Sequence, residues 1–318
     1  MSLKEVYAPV LNRQVKFGRK RPVAIGPHFK LRNYLRQGLP APPPSVDWSP
    51  AALPSLRNIF LNDKLGCCVI SEGYHAEGVA TGNAGNIFVA SDDQIVADYS
   101  AIGGYVPGDP SSDGGCDEVT AMNWWQSHGY ANGTKLLGWL TVDPTNIIEV
   151  QTCIYLFEEI DFCAGLPDSY VTPFPSGDGF TWDVDTSDPN NGHSFGGFGY
   201  DSTGVKIDTW ALFGTFTYAA MAALCTQAAG GGCYIRLTPD MLAKGQAKAP
   251  NGVDWTTLIG DFDSLGGTVP VPSPTPPPAP TPGAFVTLAE AQAWFASAHP
   301  ILLRSQVDAI LAKNWPSS

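Results

Sequence analysis

No run of roughly 18 or more apolar residues occurs in this chain of 318, so the sequence offers no membrane-spanning helix. The segment from Met1 to Arg36 carries too many charges for the apolar region of a signal peptide. The chain is therefore read as cytoplasmic at synthesis, with export by a non-Sec route left open and no membrane partner. The seven cysteines form no Cys-x-x-Cys pair and no Cys/His pattern at zinc-finger spacing, which argues against a structural metal. Nothing calls for a cofactor. Asp183, Asp185 and Asp188 lack the Gly and terminal Glu of a calcium loop and read as a solvated acidic stretch.

Acidic residues are almost missing from the start of the chain. Nine of the 18 Lys and Arg lie between Lys4 and Arg36, and only Glu5 opposes them before Asp47, so this arm stands near +8 and the remainder near −20. A solvated tail is one reading. A second lays the arm across the acidic body of its own chain, where opposite fields attract. Nucleic-acid binding ranks last, because the body would repel phosphate.

With 44% hydrophobic and 11% aromatic residues, the chain can bury one sizeable core or two modest ones. The odd cysteine count suits one free thiol and up to three disulfides, or a set of small buried side chains. Cys225 and Cys233, flanking a run of small residues, are the easiest pair to close.

A Pro-rich break over 39–45 separates the arm, 1–45, from a main domain over 46–266. The run after Cys68, to about Ala80, has little Pro and an apolar stripe, which predicts a helix starting at or just before that cysteine. Val119 to His128, Ile147 to Glu159 and Phe216 to Gln227 also read as helices. His193 to Tyr200, Val205 to Trp210 and Tyr234 to Leu237 read as strands, with turn residues from Asp201 to Gly204. A Pro-rich linker over 267–284 then leads to a predicted helical hairpin over 285–318, in which Trp294, Phe295, Ile310 and Leu311 are available to pack. That hairpin is too small for a strong core alone and suggests docking, self-association or targeting.

The chemistry-bearing residues are few. A cysteine at a helix N-terminus gains from the partial positive charge and free N–H groups there, which favour a thiolate. A Gly-flanked histidine opens a later strand, and an acid follows on the next one, so thiol, base and orienting group occur in order. His75, seven residues past Cys68, is about two turns or roughly 10 Å away along the helix, too far to act as its base, and reads as structural.

Several strings resemble papain-like cysteine peptidases in the right order: Val46-Asp47-Trp48, then Asn62-Asp63-Lys64-Leu65-Gly66-Cys67-Cys68, then His193 to Tyr200, Asp208-Thr209-Trp210 and Cys233 to Leu237. His193 lies 125 and Asp208 140 positions beyond Cys68, near the spacing of that class. The six-residue interval from Asn62 selects Cys68 over Cys67. The resemblance covers residues 46 to 240. It implies an α+β papain-like fold, with a helical half bearing the nucleophile and an antiparallel half bearing His193 and Asp208. In it Cys68 would be the nucleophile, His193 the base, Asp208 its orienter and Asn62 the oxyanion donor. Trp210 would shield the imidazole, and Gly114 and Gly115 would line the substrate cleft.

Asp208 stands where the family has Asn, Asn62 where it has Gln, and Val69 where it has an aromatic residue. The expected function is a cysteine peptidase acting on a peptide or protein substrate through a thioester, with the arm as a short propeptide or a permanent wrap. Alternatives are an amidase, isopeptidase or transpeptidase with the same triad, cell-wall peptides among its candidate substrates, or a catalytically silent binding protein.

Overall fold

The computed structural model describes residues 3–22, 28–37, 39 and 41–264, all within the first of two units into which the chain divides, Met1–Val269. The Pro-rich linker and the expected helical hairpin lie outside the described residues. Among the described residues no helix is long and apolar enough to cross a membrane, and no group of three His, Cys, Asp or Glu is placed to hold a metal.

The arm opens with a feature that the sequence reading missed. Strands β1 (Glu5–Ala8) and β2 (Arg13–Lys16) pair antiparallel, Glu5 opposite Lys16, and Asn12 takes the left-handed φ of 51° that lets the connection reverse. Asparagine tolerates that conformation because its short amide bonds locally. The side chains of Ala8, Val15 and Phe17 are buried in the same cluster as the main sheet, so the arm is part of the core.

The main body begins with the short strand β3 (Val46–Asp47) and helix α1 (Leu53–Leu56). The central helix α2 (Cys68–Asn83) starts at the expected residue and is buried on nearly every side. A helix without a polar stripe belongs inside a protein, and α2 packs between α1, α3 (Asp92–Gly103), α4 (Glu118–Ser127) and the sheet. Caps fix the starts of its neighbours: Ser91 and Gln94 form a capping box on α3, and Asp117 accepts from Thr120 N–H on α4.

After β4 (Gly138–Thr141) and α5 (Ile147–Phe157) comes the rest of the sheet: β5 (Ile160–Gly165), β6 (Phe180–Trp182), β7 (Gly192–Tyr200), β8 (Gly204–Thr209), β9 (Leu212–Thr217) and, beyond α6 (Tyr218–Leu224), β10 (Gly232–Leu237). Strand order is β4-β10-β5-β7-β8-β9-β6, with β3 added beside β7. All pairings are antiparallel except β6 with β9. Helices α7 (Pro239–Lys248) and α8 (Trp255–Ser264) close the described chain.

Three buried clusters result among the described residues. One gathers the sheet with α5, α7 and α8, a second gathers Cys68, Tyr74, Tyr99, Trp125 and their neighbours around α2, α3 and α4, and a small third holds Ala52, Leu56, Val79 and Phe198. This is the expected α+β division into a helical and a sheet half. All seven cysteines are free and buried, Cys225 and Cys233 among them, so of the two readings left open by the sequence the structure shows that of small buried side chains.

Candidate active site

Cys68 is the first residue of α2, and the backbones of Ser194, Gly18 and Val69 lie near its sulfur and favour its thiolate. Ser194 follows His193 on β7, which brings the sulfur to the strand that carries the histidine. Burial nevertheless pushes the thiol up to about 12, with these backbones opposing it. Cys67 points elsewhere, to the Phe60 carbonyl at 3.3 Å and Ser71 Oγ at 3.5 Å, and burial raises its pKa as well.

The His193 ring is held on one side by Thr209, whose Oγ1 lies 2.8 Å from Nε2. Trp210 stacks on the ring at 4.0 Å with planes 15° apart. Trp210 and Ala211 both take left-handed φ values, 49° and 63°, in the tight turn from β8 to β9. Nδ1 is buried with no hydrogen-bond partner, and burial pushes the imidazole down to about 3.

The expected role of Asp208 is corrected. Gly196 is the cross-strand partner of Asp208, so Asp208 shares a sheet face with Gly196 and Ser194, while Thr209 shares the opposite face with His193. The carboxylate instead lies 3.6 Å from Nδ1 of His75. Burial pushes Asp208 up to about 8, His75 and Arg57 opposing and Glu72 and Asp178 reinforcing, so the group is largely protonated at neutral pH. His75 is buried, held by the Asn58 carbonyl at 2.9 Å, in a structural position. The partner of the His193 ring that the sequence reading missed is Thr209. The alternation of the strand could have found it, had the pairing register been known.

Asn62 is buried, and its Nδ2 donates to the carbonyls of Leu65 at 3.1 Å and of Lys16 at 3.4 Å. Lys16 belongs to the arm, which continues straight across the site. Lys16 N–H donates to the Asn62 carbonyl, Cys116 N–H to the Gly18 carbonyl, Arg19 N–H to the Gly192 carbonyl and Lys20 N–H to the Cys116 carbonyl. The arm therefore bonds to both walls, running parallel to the strand-like segment at Cys116. Phe17 meets the rings of His193 at 6.0 Å and Trp210 at 5.5 Å.

The approach is close enough to demand glycine. A Cβ on Gly18 would lie 1.8 Å from the Gly66 carbonyl oxygen, and one on Gly115 would lie 1.9 Å from the Gly18 carbonyl oxygen. Gly115 thus lies directly against the arm, while the ideal Cβ of Gly114 would face Lys20 Nζ at 3.4 Å. Charge reinforces the fit: Lys4 pairs with Asp168 at 2.9 Å, Arg13 with Asp63 at 3.0 Å, Lys16 with Asp113 at 3.0 Å and Arg19 with Glu118 at 2.7 Å. A cavity of about 560 Å³ among Leu39, Pro42, Pro43, Tyr155 and Lys248 involves none of these residues.

No protein-family model matches the sequence, and no curated protein matches it. Among solved structures, the chain is similar to xylellain, a cysteine protease from Xylella fastidiosa, at 14% identity and a TM-score of 0.56, over 75% of this chain and 99% of that one. It is also similar to procathepsin L 3 of Tenebrio molitor larval midgut, at 13% identity and a TM-score of 0.47, over 66% of this chain and 75% of that one. The first likeness shows that the chain has the papain-like cysteine protease fold.

Proposed function

We propose that the chain is a cysteine peptidase held in a self-blocked state by residues 15–20 of its own arm. The observation that carries this reading is the Cys68 sulfur at the N-terminus of α2, beside the His193 strand, with the arm backbone bonded across it. A thiol capped in this way is neutral, as is the His193 imidazole, because burial disfavours both charged forms. Leaving of the arm admits water and substrate. Both shifts then relax towards the range in which a thiol gives its proton to an imidazole.

In the reaction so proposed, Sγ of Cys68 adds to the carbonyl carbon of a peptide while His193 takes the thiol proton. The oxyanion is met by Asn62 Nδ2–H, now free of the Lys16 carbonyl, and by the Cys68 backbone N–H. Collapse breaks the C–N bond, and the imidazolium gives its proton to the leaving amine. Water, deprotonated by His193, then hydrolyses the thioester and returns the thiol. Thr209 is a positioning residue that fixes the ring, and Trp210 keeps water from that bond.

The test uses the full chain carrying Gly18→Ala, which unseats the arm, with unfolded casein as substrate. Cleavage should appear, should be absent in Gly18→Ala/Cys68→Ala, and should stop when a Cys-directed epoxide modifies Cys68 stoichiometrically. Stoichiometric modification without cleavage of any protein or peptide would reject peptidase activity.

A further inference from the structure

We propose that the pocket filled by the Arg19 side chain is the specificity pocket of the cleft, and that Glu118 in its wall selects substrates carrying arginine at the position the arm's arginine now holds. This rests on the peptidase reading and names its substrate class. Arg19 adjoins Gly18, the residue over the Cys68 sulfur, and its own N–H is bonded to the Gly192 carbonyl just before His193. A side chain leaving the cleft backbone at this point is therefore within a residue or two of the reacting bond.

The side chain enters the body rather than the solvent. Arg19 is 3% and Glu118 1% exposed at the side chain, and Nε donates to Glu118 Oε1 at 2.7 Å while Nη1 donates to the Gly230 carbonyl at 2.7 Å. Glu118 opens α4, where the helix dipole favours a carboxylate. Cys163 and Tyr234 also lie near the guanidinium.

What makes this a selective pocket is its state once the arm has gone. Glu118 would then be a buried carboxylate facing an empty hole, and burial already holds its pKa above the usual range with the guanidinium present. Leucine leaves the carboxylate and the Gly230 carbonyl unpaired, and a site built to bond a polar group rejects the analogue that lacks it. Lysine supplies the charge but not the planar fork that serves Glu118 and Gly230 together. The order expected is arginine, then lysine, then apolar residues.

Two measurements on the full chain test this. First, Arg19→Ala is melted with millimolar n-propylguanidinium as a stand-in for the lost side chain: its Tm should rise, while wild type and Arg19→Ala/Glu118→Gln should not respond. Second, Gly18→Ala is given a fluorogenic peptide library varied one position at a time. Arginine should exceed leucine at least tenfold at one position, and Glu118→Gln should lower kcat/KM for arginine peptides by about a hundredfold, with a much smaller loss for leucine peptides.

No arginine preference at any position, or one that survives Glu118→Gln, overturns the proposal even where cleavage is brisk. Glu118-dependent guanidinium binding with no peptide cleaved would keep the pocket and remove the peptidase.

Discussion

Thr209 and His193 share one face of the sheet, Oγ1 to Nε2 at 2.8 Å, while the neighbouring Asp208 faces the other way. A neutral hydroxyl therefore holds the imidazole where a carboxylate was expected, so the ring gains orientation without a compensating negative charge. Thr209→Val should lower kcat of the arm-loosened enzyme about ten- to a hundredfold, less than the roughly 10⁴-fold typical of losing a charged orienter. Asp208→Asn should change kcat by less than about threefold. Steady-state kinetics on the Gly18→Ala background decides, and equal losses in the two variants would restore Asp208 to the site.

The contact between Gly18 and Gly66 leaves no room for a methyl group. Overpacking costs about 1–3 kcal/mol, and the segment of the arm around Gly18 is expected to yield before Gly66, just ahead of the start of α2. Gly18→Ala should thus raise the rate of Cys68 alkylation by iodoacetamide roughly ten- to a hundredfold, followed by intact mass and peptide mapping. An unchanged rate would mean that something other than the arm covers the sulfur.

Stability should respond to pH through two buried groups of opposite sign. His193 titrates near 3 in the fold against an ordinary 6.5, so its contribution is full above 6.5 and is lost as pH falls towards 3. Asp208 titrates near 8 against an ordinary 3.8, so its contribution is full below 3.8 and is lost as pH rises towards 8. Each slope is at most about 1.4 kcal/mol per pH unit. Asp208→Asn removes the second slope alone, and should gain on wild type steadily between pH 4 and 8 in urea melts. A gap between the two chains that does not vary with pH would show Asp208 to be ionised in the fold.

Seven free, buried thiols make a simple count. Ellman's reagent without reductant should find seven thiols per chain in denaturant and close to none in buffer. The Tm should be the same with and without dithiothreitol. Five thiols in denaturant would instead mean that one pair, Cys225 with Cys233 first among them, is oxidised.

The sequence made some features plain and hid others for identifiable reasons. The start of α2 at Cys68 was legible because an uninterrupted apolar run follows it, and β7 and β8 were legible from Gly-punctuated alternation. The attraction between arm and body was legible as charge, although its path over the sulfur was not: glycines at 18, 66 and 115 reveal a close approach only when their backbones are seen together. The exchange of Asp208 for Thr209 came from period-two geometry, in which a shift of one residue changes the face. Glu118 carried no motif at all, because its meaning depends on Arg19, 99 positions away.

The arm bonds to Gly192 on one side and to Cys116 on the other while remaining covalently part of the molecule that, on the proposed reading, it blocks. An inhibitor tethered in this way sees its target at an effective concentration that dilution never lowers, on the order of millimolar for a short flexible connection. Transient displacement by acid or by a competing peptide therefore yields only momentary exposure of the thiol. On the proposed reading, lasting activity of the wild-type chain requires that the backbone between strap and body be severed, which turns a reversible equilibrium into a one-way event.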